Sequence, residues 1–452
     1  MIQQFFNKII LGYLRIAAKI QLFKIRPKII GVTGSAGKTS TCHAIQAVLK
    51  NHFTVKISYK ANSETGLPLN LLGLQPVDYS KKDWLRLLLL EPWKLLSNWD
   101  KYNYYIAEMA IDSPFEPKNM SYLLKIMQPE IGVFLNAAPM HSFEFDQLAQ
   151  ETEPKKRRAE ISQLIAAEKG KMITSLPEKG VAILNTGDDN VIDFANKTSA
   201  SVLSFGTKKQ ADVQIVDYVS SLSGSSFKIQ YQNQTTSLNF AHYLLPSHYG
   251  LSFAAALAVG ISQGLSLKKA ALSLETNYKL PPGRASLIPA INNAWILDSS
   301  YNASAQPIID SLNLINETAP GRKLALLGDI RELGEETETE HLLVAKKAAQ
   351  ICDLVCLVGP QTKKYILPYL KEKNIAVKWF KTAYLAAEFL QKKLQKDDLL
   401  LVKGSQNTLL LEIAVEKLMK HPERAEQILC RRGAFWDKRR SNLKITHPIH
   451  AA

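Results

Sequence analysis

Short apolar runs alternate with helical patterns along most of this chain. Lys28–Val32 reads as a strand, and an apolar helical spacing follows at Ala44, Ile45, Ala47, Val48 and Leu49. Val133–Asn136, Val181–Asn185 and Val202–Phe205 read as further strands, and residues 249–264 as a helix. From Asp212 to Phe240 polar and apolar residues alternate, which predicts antiparallel strands. Pro281-Pro282-Gly283-Arg284 has the composition of a linker. Beyond it, Trp295–Asp298, Leu324–Gly328, Val355–Gly359 and Leu399–Lys403 are short apolar strands separated by helical patterns. Such alternation predicts doubly wound α/β sheets. The expected organisation is an amphipathic basic helix over 1–28, a central α/β domain over 29–282 and a smaller Rossmann-like domain over 283–452. The basic tail after about residue 420, with Arg431, Arg432, Lys438, Arg439 and Arg440, is expected to be solvated rather than to bind nucleic acid.

Two segments have a different character. On a helical wheel Ile2, Phe6, Ile9, Tyr13, Ile16, Ile20 and Phe23 share one face, with Lys8, Arg15 and Lys19 opposite. No uncharged run there reaches the roughly 18 residues of a spanning helix, and no small-residue cleavage site follows it. The pattern leaves two readings open: a helix packed on the protein's own surface, or one lying in a membrane interface. Trp84–Trp99 is equally open. It fits a buried helix interrupted at Pro92, or a second interfacial contact, since Trp is favoured at headgroup depth.

Composition narrows the class. A chain of 452 residues, 46 % apolar and 21 % charged, is globular and long enough for two or three domains. Fifty-six Lys and Arg against 41 Asp and Glu give a net charge of +15, which suits anionic partners: nucleotides, phosphorylated substrates or a membrane surface. Cys42, Cys352, Cys356 and Cys430 are too few and scattered for a disulfide framework or a zinc site, which points to a reducing, cytoplasmic compartment.

The chemistry begins at Gly34-Ser35-Ala36-Gly37-Lys38-Thr39-Ser40, between the first strand and its helix. Glycines let backbone N–H groups approach phosphate oxygens, and the helix N-terminus adds positive dipole. Lys38 is placed to reach the β/γ-phosphates and Thr39 to ligate Mg²⁺. Val32 stands where the usual GxxxxGK[ST] pattern has its first glycine, so the loop is a variant reading T-G-S-A-G-K-T-S. The context predicts a P-loop ATPase-type domain. No guanine-reading N/T-K-x-D appears, which argues against a GTPase.

The form TGSxGKT[ST] resembles that of the Mur ligase superfamily, ATP-dependent amide-forming ligases of peptidoglycan synthesis. Asn62–Pro68 is similar to the family's N-x-x-x-G-x-P, and Tyr105–Ala110 to its strand ending in a magnesium-binding Glu, here Glu108. Asn136 and His141 resemble its N-x-x-x-x-H, in which the Asn contacts adenine and the His binds a second metal. Leu297–Ala303, Leu326–Gly334 and Val402–Ser405 resemble D-D-S/T-Y-N-A-N, L-G-D-M-x-E-L-G and V-K-G-S, most like the D-alanyl-D-alanine-adding branch.

The resemblance implies two Mg²⁺ ions held by Thr39, Glu108, His141 and a carbamylated lysine, with Lys38, Glu108, His141 and Lys169 catalytic. Spacing from His141 would choose Lys155 for the carbamate. The run from Lys169-Gly170-Lys171 into Leu176-Pro177 and Gly180–Asn185 instead matches the family's pattern at Lys169, with an insertion of about 14 residues before it. Nucleotide contacts are implied for residues 34–40, Asn136, Arg284, Asp298, Tyr301 and Asn302. Ser299 replaces the second Asp of the D-D pair, which holds the ribose in relatives. Relatives also carry a UDP-binding domain before the loop that 28 residues are too short to form.

The expected activity is thus activation of a muramyl-peptide-like carboxylate as an acyl phosphate for attack by an amino-acid or dipeptide amine. Expected partners are those substrates, a membrane surface met by residues 1–28, and a separate subunit in place of the missing domain, with no nucleic acid. The expected location is cytoplasmic, peripheral to the inner face of the membrane. The alternatives are a folylpolyglutamate- or cyanophycin-type ligase, and a membrane-docked ATP-binding scaffold.

Overall fold

The computed structural model describes residues 2–445 apart from 59–60, 79, 140–142, 242, 281 and 405–406. The chain forms two compact units. The first takes in residues up to Asp217, Phe227–Leu238 and Tyr249–Lys279; the second takes in Tyr218–Ser226, Asn239–His248 and the chain from Leu280.

In chain order the first elements are α1 (Ile2–Ile25), β1 (Lys28–Thr33), α2 (Lys38–Leu49), β2 (Val55–Ile57), α3 (Gly66–Leu72), α4 (Lys81–Ser97) and β3 (Tyr104–Glu108). Then come α5 (Met120–Ile126), β4 (Ile131–Phe134), α6 (Phe143–Asp146), α7 (Pro154–Thr174), β5 (Val181–Asn185) and β6 (Ser201–Gly206). β7 (Val213–Ser221), β8 (Gly224–Tyr231) and β9 (Gln234–Ala241) complete a sheet of order β2-β3-β1-β4-β5-β6-β7-β8-β9. It is parallel from β2 to β7.

β1 is central and buried on both faces, as its unbroken apolar run requires. Its register sets Val32 beside Glu108 of β3 and Val133 of β4, so the loops leaving three adjacent strands open on one edge. That carboxyl edge is where open α/β sheets bind ligands. Ile161, Ile165, Met172 and Ile173 turn one face of α7 into the core formed by Tyr105, Ala107 and Phe134. Gly170 allows the close fit beside it, since a Cβ there would lie 2.0 Å from the Phe194 ring.

The second unit holds β10 (Ser286–Pro289), β11 (Trp295–Ser299), β12 (Lys323–Gly328), β13 (Leu354–Val358), β14 (Val377–Phe380) and β15 (Leu399–Lys403). Their order is β10-β11-β15-β12-β13-β14, with β10 antiparallel to β11 and the rest parallel. Ile296, Leu324, Leu326, Leu400 and Val402 form its core with residues of the helices Ala383–Gln391 and Glu412–Leu418.

The α/β class and the strands read from the sequence are therefore observed, to within a residue or two at their ends. Two expectations need correction. α4 runs unbroken through Pro92, and only Asp83, Leu87 and Glu91 of it are buried, so it is not an interrupted core helix. The basic tail is not wholly solvated: Arg431 and Arg440 are buried, because the backbone carbonyls and Glu412 around them supply partners. Among the described residues no helix is long and apolar enough to cross a membrane.

Candidate active site

The glycine loop begins where β1 ends. Gly37 takes φ 84°, a left-handed conformation that a side chain would strain, and caps α2 without a side-chain hydrogen bond. The N-terminus of α2, with its positive dipole end, thereby stands at the end of a buried strand. The Lys38 Nζ folds back to donate to the Gly34 carbonyl at 2.7 Å and the Ser35 carbonyl at 3.3 Å, so its charge sits over the loop.

Neighbouring strand ends brace this loop. Asn136, just beyond β4, accepts from the Ala36 N–H at 2.8 Å and donates to the Ala36 carbonyl at 3.2 Å. Its own carbonyl accepts from the Ser35 N–H at 3.0 Å. Both polar atoms of the amide thus grip the loop. Asn185, at the end of β5, donates to the Leu135 carbonyl at 2.7 Å, and Asp188 accepts from the Ala137 N–H at 2.8 Å.

At the end of β3 the Glu108 carboxylate receives the Thr39 hydroxyl at 2.8 Å on one oxygen and the Asn62 amide at 3.3 Å on the other. Its backbone N–H donates to the Ser58 hydroxyl at 2.8 Å. Thr39 and Glu108 therefore set two hard oxygen donors side by side next to the loop, the donor type magnesium prefers. Among the described residues no group of three His, Cys, Asp or Glu converges as a metal cluster. His141 lies outside the described residues.

Lys169 comes to the same place from α7. It is 3 % exposed, and its Nζ donates to the Ser35 hydroxyl at 3.3 Å. That hydroxyl donates in turn to the Ala138 carbonyl at 2.7 Å. Burial, and then the Lys38 charge, hold the Lys169 amine well below the usual lysine range. Lys155 is exposed in the first turn of the same helix, and fourteen residues at 1.5 Å rise separate the two by roughly 21 Å. The charged run Glu153–Arg158 forms the start of α7.

The second unit gathers the later motifs. Asp298, at the end of β11, is fully buried. One carboxylate oxygen accepts from the Ser300 N–H at 3.0 Å, and the other has no hydrogen-bond partner among the described residues. Burial raises its pKa, and the nearby Arg431 and Lys403 charges oppose the rise. The Arg284 guanidinium lies 4.5 Å from the centre of the Tyr301 ring, and the Lys403 Nζ donates to the Asn302 carbonyl at 3.1 Å. Burial first, then Arg284, pull Lys403 down to about 8.

Arg431 holds this loop from behind. It donates to the Ser300 carbonyl at 3.3 Å, to the Tyr301 carbonyl, and to Glu412 at 3.0 Å. Nothing local in the sequence marks Arg431 as part of such a cluster. Lys403, like Asn62 and Asn185, lies inside a motif already noted, but with no role assigned to it there.

The sequence matches the Mur ligase middle domain over residues 32–260 and the Mur ligase, glutamate ligase domain over residues 283–406. It is 26 % identical over 347 residues to the UDP-N-acetylmuramoyl-tripeptide–D-alanyl-D-alanine ligase of Escherichia coli, covering 75 % of this chain and 66 % of that one. The Rickettsia prowazekii ligase of the same name is 25 % identical over 404 residues, covering 87 % and 80 %. Among solved structures, MurF from Acinetobacter baumannii superposes with a TM-score of 0.71 at 21 % identity, covering 90 % of this chain and 79 % of that one. Thermotoga maritima MurF ligase in complex with ADP gives 0.70 at 22 %, covering 92 % and 84 %. The chain thus spans between about three fifths and four fifths of the length of its relatives. With one family domain spanning half the chain and a second following it in order, the braced glycine loop and the parallel sheets have a common source: the chain belongs to the Mur ligase family.

Proposed function

We propose that this protein is an ATP- and magnesium-dependent ligase that joins a cell-wall precursor carboxylate to an amino-acid or dipeptide amine, D-alanyl-D-alanine addition being the best-supported form. The observation that carries the reading is the convergence of Lys38, the Thr39–Glu108 pair and the buried Lys169 amine on one glycine loop. The names of the relatives point to the same chemistry.

In this reading ATP supplies a phosphoryl group that turns the carboxylate into an acyl phosphate, and magnesium offsets the charge that gathers during transfer. The loop N–H groups and Lys38 bind the phosphates. Thr39 and Glu108 hold a metal through oxygen, and His141 is assigned to a second ion. Lys169 carries the finer part of the proposal. Its depressed pKa keeps a fraction of neutral amine available, which can add CO₂ and release one proton, leaving an anionic carbamate beside Ser35. Asn136 positions the loop through Ala36 and is also assigned to adenine. Arg284, Asp298, Tyr301 and Asn302 are assigned to the nucleotide from the second domain, with boundaries at 29–282 and 283–452.

The test is ADP release by the purified chain, screened against UDP-linked and lipid-linked muramyl peptides with candidate amines. Turnover that needs both a carboxylate and an amine, and that is lost in Lys38→Ala, supports the proposal. ATP turnover indifferent to every carboxylate, or unchanged in Lys38→Ala, overturns it.

A further inference from the structure

α1 and α4 each present an apolar face that the core does not use. On α1, Leu14, Ala17 and Ala18 are buried, yet Ile9, Tyr13, Ile16, Ile20 and Phe23 recur every three or four residues on the other side, 38 to 70 % exposed. On α4, Leu85, Leu89, Trp93 and Leu96 are 60 to 72 % exposed, and Trp99 follows at 62 %. The two helices adjoin within the first unit. Tyr13 donates to Glu91, and the Lys24 Nζ donates to the Leu95 carbonyl and lies 4.1 Å from the centre of the Trp99 ring. Both outward stripes therefore flank one seam. A contiguous apolar face of this kind marks an interaction surface.

Charge identifies the partner. Residues 1–28 and 80–101 contain eleven Lys and Arg against three Asp and Glu, which is +8 of the chain's +15. Two of the three acids, Asp83 and Glu91, are buried, while Lys19, Arg26, Lys81, Lys82, Arg86 and Lys101 are exposed. Pairing this face with a second copy would oppose +8 to +8. We propose that it docks on an anionic lipid bilayer, with Phe23, Trp93 and Trp99 at headgroup depth and the bases against the headgroups. The whole surface lies in one unit, and the binding is read without turnover, so it stands or falls apart from the ligase assignment.

Vesicle flotation of the full-length chain tests it. Mixed phosphatidylglycerol–phosphatidylcholine vesicles should carry the protein at low salt, and pure phosphatidylcholine vesicles should bind it at least about tenfold more weakly. Lys81→Gln with Lys82→Gln should weaken binding about 25-fold, at about fivefold per base. The exposed triple variant Leu89→Glu, Trp93→Glu, Leu96→Glu should not float, while retaining the wild-type circular dichroism. Wild-type protein that stays out of anionic vesicles, or a triple variant that floats equally well, overturns the proposal. So does a dimer that the triple variant dissociates in the absence of vesicle binding, since the face would then belong to a second copy.

Discussion

Lys403 offers a test of the second unit that separates electrostatics from packing. Its side chain is buried, its amine donates to the Asn302 carbonyl, and burial pulls its pKa down from the ordinary 10.5 to about 8. A base whose folded pKa lies below its unfolded value binds fewer protons when folded, so stability rises with pH across that interval. The interval runs from about 8 to 10.5. Linkage gives a penalty of about 3 kcal/mol at pH 7, when the amine must be charged inside the fold, and about 1 kcal/mol at pH 10. Lys403→Met keeps the side-chain length and removes the charge. Its stability relative to wild type should therefore fall by roughly 2–3 kcal/mol between pH 7 and pH 10. Taking the difference cancels the buried cysteines and tyrosines that titrate in the same range in both proteins. Urea unfolding at the two pH values measures it. A difference that does not move with pH would refute the burial argument, since loss of one neutral hydrogen bond has no such slope.

Arg431→Ala leaves Glu412 buried without its ion pair, and urea unfolding should show a loss of about 3–5 kcal/mol. Gly170→Ala drives a methyl group into Phe194 and should cost about 1–3 kcal/mol in thermal denaturation, with Phe194→Leu restoring part of it. Lys169→Ala should lose ligase turnover that short added carboxylates partly restore, whereas Lys155→Ala, exposed on the first turn of α7, should retain wild-type turnover. The opposite pattern would assign the carbamate to Lys155 and refute Lys169.

Much of the fold was legible because strands buried on both faces read as unbroken apolar runs; β5 and β15 were located to the residue. The glycine loop, Glu108 and Asn136 were legible for a different reason. The loop follows β1, and Glu108 and Asn136 lie at the ends of its two neighbours β3 and β4, so motif order along the chain becomes proximity in space. Preferring Lys169 to Lys155 needed the motif after it, because spacing alone pointed to an exposed residue. α4 was ambiguous because its leucines are apolar all round, and only packing decides which are covered. Arg431 was invisible, since a buried cation depends on partners far away in the chain: Ser300, Tyr301 and Glu412.

The central claim is that this chain forms an amide through phosphoryl activation of a carboxylate, and following one oxygen atom tests it most directly. With a muramyl tripeptide labelled with ¹⁸O in its terminal carboxylate, ATP and D-alanyl-D-alanine, carboxylate oxygen attacks the γ-phosphorus and ADP departs. The amine then displaces phosphate from the acyl carbon. The phosphate released should carry ¹⁸O, one atom per amide formed, and Lys38→Ala should release none. Amide formed with unlabelled phosphate, or labelled substrate left intact while ATP is hydrolysed, would contradict the account.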